Sequence, residues 1–106
     1  MIKVTVDYVE NSLSHLLIKG HGGLEYGKDV ICAGVSSCVF GALNALDNAE
    51  NYDLVMKEGF TELTKVHDAT KHDEIVLETL IVQLDTISQR YPDHVKIKVS
   101  GKEGNK

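Results

Sequence analysis

The chain has 106 residues, 42% apolar and 25% charged, with a single proline, a composition that fits one compact folded domain and argues against disorder. With 16 acidic against 11 basic residues the formal charge is −5, and no basic stretch is present to track phosphates, so direct nucleic-acid binding is not expected. The start of the chain shows no basic segment followed by an apolar block, so no secretory signal is expected. The uncharged run over 30–46 is broken by Gly34, Ser36, Ser37, Gly41 and Asn44, which suits a buried helix and not a membrane span.

In chain order, Ile2, Val4, Val6 and Tyr8 alternate with Lys3, Thr5 and Asp7, the period of a half-buried strand. Glu10-Asn11-Ser12 supplies turn chemistry, and residues 13–20 read as a second strand that pairs with the first as a hairpin. His21 stands where that strand runs out. Residues 22–28 have no period and carry glycines at both ends, which predicts a hinged loop. Asp29 is a helix N-cap candidate, and a helix over 30–48 follows, whose small residues permit close packing. Residues 52–57 and 60–66 read as two strands around Glu58-Gly59.

Thr70-Lys71-His72-Asp73 resembles a capping box with Asp in place of Glu. Leu77, Leu80, Ile81, Leu84, Ile87 and Tyr91 recur at helical spacing until Pro92 closes the element. Val95, Ile97 and Val99 alternate as a final strand before a polar tail. The order ββαββαβ predicts an α/β fold of the α+β type: a two-layer sandwich with two helices on one face of a mostly antiparallel sheet of about five strands. Residues 13–99 alone have the order of a ferredoxin-like unit, with one extra leading strand.

With Asp29 as N-cap, Cys32 falls at the third helical position, where unpaired backbone amides and the helix dipole favour the thiolate. The alternative is a small apolar core residue between Ile31 and Ala33. His21, eleven residues earlier and joined by the glycine-bracketed loop, is placed to fold back over the sulfur. An imidazole there holds a thiolate as an ion pair and later protonates a leaving amine. Ser36 lies one turn beyond Cys32 on the same face; a hydroxyl bonded back to a helix carbonyl is its ordinary role. Cys38 reads as a core thiol. Six residues of helix hold it ~9 Å from Cys32 along the axis, which argues against a disulfide and for reduced thiols in the cytoplasm. His15, His67, His72 and His94 show no ligand spacing, so no metal and no cofactor are expected.

The segment over 20–37 resembles the signature of the ribosomal-processing cysteine protease family of bacteria, also called YsxB-like: Gly20-His21, Tyr26-Gly27, Asp29-Val30-Ile31-Cys32-Ala33 and Val35-Ser36. The resemblance implies one cysteine-protease domain over 1–106, with Cys32 as nucleophile, His21 as its partner, and Asp29 and Ser36 in support. It implies as substrate the short N-terminal extension of large-subunit ribosomal protein twenty-seven, removed during ribosome assembly, and a homodimer as the assembly. Gly34 stands where many relatives carry alanine. Gly22, Gly23, Tyr26 and Gly27 are candidates for a loop that gates the substrate. A non-catalytic ribosome-assembly factor, which predicts no cleavage product, and a thiol sensor without a resolving cysteine are the competing functions.

Overall fold

The computed structural model describes residues 1–21 and 29–102. Strict alternation builds β1 (Ile2–Val9), with Ile2, Val4, Val6 and Tyr8 all buried. Glu10 and Asn11 take φ of 54° and 63°, the left-handed pair that a two-residue hairpin turn requires. Ser12 is therefore already in β2 (Ser12–Gly20), not in the turn. The register slips between Asp7 and Tyr8, a bulge that lets Leu13 and Leu16, three residues apart, both reach the core.

The chain continues through α1 (Val30–Ala45), β3 (Tyr52–Lys57), β4 (Phe60–Lys65), α2 (Lys71–Arg90) and β5 (Val95–Ser100), with one 3-10 turn over Ala49–Asn51. The order ββαββαβ and the α+β sandwich are as the sequence predicts. Strands lie in the order β3-β4-β2-β1-β5, antiparallel throughout except for the parallel pair β1–β5. The leading strand does not extend a ferredoxin-like sheet at its edge. It lies between β2 and β5, and because it runs antiparallel to β2 it meets β5 in parallel.

Ile31, Val35, Val39 and Ala42 of α1 and Leu77, Leu80, Ile81 and Leu84 of α2 join the inward strand residues in one core. Each buried large side chain contributes roughly 1.5–3 kcal/mol. The opposite sheet face carries charge, and there His15 lies between Asp7 (Nδ1 to Oδ2, 3.3 Å) and Glu62 (Nε2 to Oε2, 2.7 Å).

Two boundaries differ from expectation for reasons the contacts supply. Helix α1 stops at Ala45, not 48, because the amides of Asp47 and Asn48 donate to the Asp73 carboxylate at 2.8 and 2.9 Å. Strand β4 stops at Lys65, one residue short, as the Val66 amide turns to the Asn51 carbonyl at 2.9 Å. The Thr70 box is half made: Thr70 Oγ1 accepts the Asp73 amide at 3.1 Å. The Asp73 side chain does not complete the box, since its oxygens serve the end of α1 instead.

Candidate active site

Asp29 caps α1 as the sequence predicts, its Oδ1 accepting the Cys32 amide at 2.8 Å while its carbonyl accepts the Ala33 amide at 3.1 Å. The cap fixes the first turn and with it the start of the Cys32 side chain. It also occupies one of the helix-start amides, so the Cys32 N–H is not free to hold an oxyanion. His21 follows Gly20 at the end of β2, and Cys32 Sγ lies 4.0 Å from His21 Nδ1. His21 is exposed and Cys32 half-buried, so both are reachable from solvent.

The pair opens on a groove of about 750 Å³ between α1 and the β3–β4 hairpin. Ser36 lines this groove, as do Val30, Phe40, Met56 and Phe60. Phe40 is 51% exposed and Met56 38%, which is costly for large apolar side chains unless something covers them. Cys38 packs against the core further along α1, away from this lining. The four loop residues Gly22, Gly23, Tyr26 and Gly27 lie outside the described residues. Thus His21, Asp29, Cys32 and Ser36 are brought together at one place.

A second polar cluster had no signature in the sequence. Asp73 is fully buried, and His72 Nδ1 stands 2.9 Å from Asp73 Oδ1 and 3.3 Å from Asp47 Oδ2. These three offer ligand atoms within 4.8 Å of one another, yet both Asp73 oxygens are already bonded to amides. The cluster ties the end of α1 to the start of α2. The adjacent pair His72-Asp73 gave no hint that its carboxylate would cap a distant helix.

The family described as Cysteine protease Prp matches residues 1–96. A ribosomal processing cysteine protease Prp of Bacillus subtilis is 31% identical over 87 residues, which is 74% of this chain and 78% of that protein. The protein of the same name from Staphylococcus aureus is 28% identical over 102 residues, 89% of this chain and 96% of its own length. The crystal structure of ribosomal processing protease Prp from S. aureus, in complex with a covalently linked product peptide, superposes with a TM-score of 0.84 at 25% identity, over 93% of this chain and 99% of that one. On sequence over nearly its whole length, and on fold, the chain belongs to the cysteine protease Prp family.

Proposed function

We propose that Cys32 and His21 are the reacting pair of this protease and that it removes the N-terminal extension of large-subunit ribosomal protein twenty-seven. The observation that carries the reading is the 4.0 Å approach of Sγ to Nδ1 at the groove. Such contacts are often long in a free enzyme and tighten on substrate. His21 Nδ1 takes the thiol proton and the sulfur attacks the scissile carbonyl carbon, whose π electrons move to oxygen. Collapse re-forms the C=O and expels the amine, which takes the proton from His21. Water then attacks the thioester while His21 accepts its proton, and the thiolate leaves as the acid is released. With the Cys32 amide held by Asp29, the amides of Val30 and Ile31 are the first-turn donors left for the oxyanion.

Several features support this substrate. The relatives are named as ribosomal processing proteases, the groove is apolar enough to seat an extended peptide, and a net charge of −5 attracts a cationic ribosomal protein. Action in the cytoplasm as a homodimer, with 1–106 as one domain, belongs to the same proposal. Among the described residues no helix is long and apolar enough to cross a membrane. Incubating the chain with the extended ribosomal protein and weighing the products tests it. Two fragments whose masses sum to the substrate plus one water are expected, and an intact substrate overturns the reading.

A further inference from the structure

We propose that Gly59, in the turn between β3 and β4, is a positioning residue that seats the His21 imidazole against Cys32. This rests on reading Cys32 and His21 as the reacting pair. The Gly20 amide donates to the Gly59 carbonyl at 2.9 Å, so the turn is latched to the residue just before His21. A Cβ on Gly59 would stand 2.8 Å from His21 Nε2, 3.2 Å from Cε1 and 3.6 Å from Cδ2. Three atoms of the ring therefore lie over the bare Cα, while Nδ1 faces Sγ at 4.0 Å. The imidazole is held between the β3–β4 turn and the first turn of α1.

The backbone alone does not demand glycine at this point. Gly59 has φ +68°, a conformation that asparagine also adopts with little strain. What a side chain would meet there is the ring. With a Cβ present the imidazole must slide by several tenths of an ångström or swing about χ1 into solvent. A swing carries Nδ1 away from Sγ, and a slide takes it off the position it now holds, so either movement spoils the alignment of the pair.

Two variants separate seating from turn geometry. Gly59→Ala carries both the Cβ and a strained backbone, whereas Gly59→Asn carries the Cβ on a backbone it tolerates. Assayed on the extended ribosomal protein, both are expected to lose about 100-fold in kcat, the scale of an ångström of misplacement. KM should stay within about threefold. Alkylation of Cys32 by iodoacetamide at neutral pH should slow in both, with Gly59→Asn melting near the wild-type temperature. Wild-type kcat in Gly59→Asn would mean that Gly59 serves only the turn and would overturn the proposal. Should either variant fail to fold, the wild-type protein still decides. A nuclear Overhauser contact between the Gly59 α protons and His21 Hε1 is expected, and its absence contradicts the seat. If the wild-type chain does not cleave the ribosomal protein, the reading of the substrate fails, while the alkylation rates and the Overhauser contact still judge the seat.

Discussion

Asp29 serves α1 and Cys32 with one carboxylate, and that makes it the most informative single position outside the proposed reacting pair. Asp29→Ala removes the acceptor for the Cys32 amide and should cost about 1 kcal/mol in urea unfolding, the usual value of an N-cap. Asp29→Asn keeps an acceptor and should restore nearly all of it. The two cysteines differ in the same local terms. Both are half-buried and pack against the core, but only Cys32 of the two lines the groove, with His21 beside it. Iodoacetamide at pH 7 should label Cys32 first, by peptide mapping, and His21→Ala should slow that labelling. Equal labelling of both thiols in the wild type would contradict the assignment.

Elements with strict period were legible: β1, β5 and α2 follow from Ile2/Val4/Val6/Tyr8, Val95/Ile97/Val99 and the leucine stripe of α2, because burial on one face forces those spacings, although in β5 the burial fades from Val95 to an exposed Val99. The Asp29 cap and the approach of His21 to Cys32 were legible for another reason, since capping, and the nucleophile chemistry proposed for the pair, tolerate few residue types. What escaped depends on contacts far apart in sequence. The bulge near Ser14, the insertion of β1 between β2 and β5, and the service of Asp73 to the end of α1 are tertiary facts that local pattern does not encode. Asp73 is fully buried and bonded to two amides and an imidazole. Asp73→Ala would strand those amides and should cost about 3 kcal/mol in denaturant melts. Gly41 is the converse case. An added Cβ there meets nothing within 4 Å, so Gly41→Ala should raise stability by about 0.5–1 kcal/mol.

For the molecule as a whole, three groups shape stability against pH. The Glu62 carboxylate, against some desolvation and with help from Asp7, raises the His15 pKa. The hydrogen bond to Asp73 foremost raises that of His72. Burial pushes the Asp73 carboxyl up, but His72 and the Asp47 and Asn48 amides outweigh it and hold it below the usual range. A raised histidine stabilises fully below its unfolded value, near 6.5, and loses that contribution as pH climbs through the higher folded value. A lowered carboxylate stabilises above about 3.9 and loses that contribution as pH falls through its folded value. Thermal melting should therefore peak on the mildly acidic side, between about pH 4 and 6.5. His15→Gln should flatten the alkaline limb, and a wild-type optimum above pH 8 would refute this. At the same scale lies the claim that one thiol and one imidazole, set at the mouth of an apolar groove, cut a ribosomal protein. The measurement that tests it most directly is the intact mass of the extended ribosomal protein after incubation with wild type, Cys32→Ala, His21→Ala and the double variant, each first shown to melt like the wild type. Trimming by wild type alone, with the double variant no worse than either single one, is the predicted result; trimming by Cys32→Ala at a rate near wild type would contradict it.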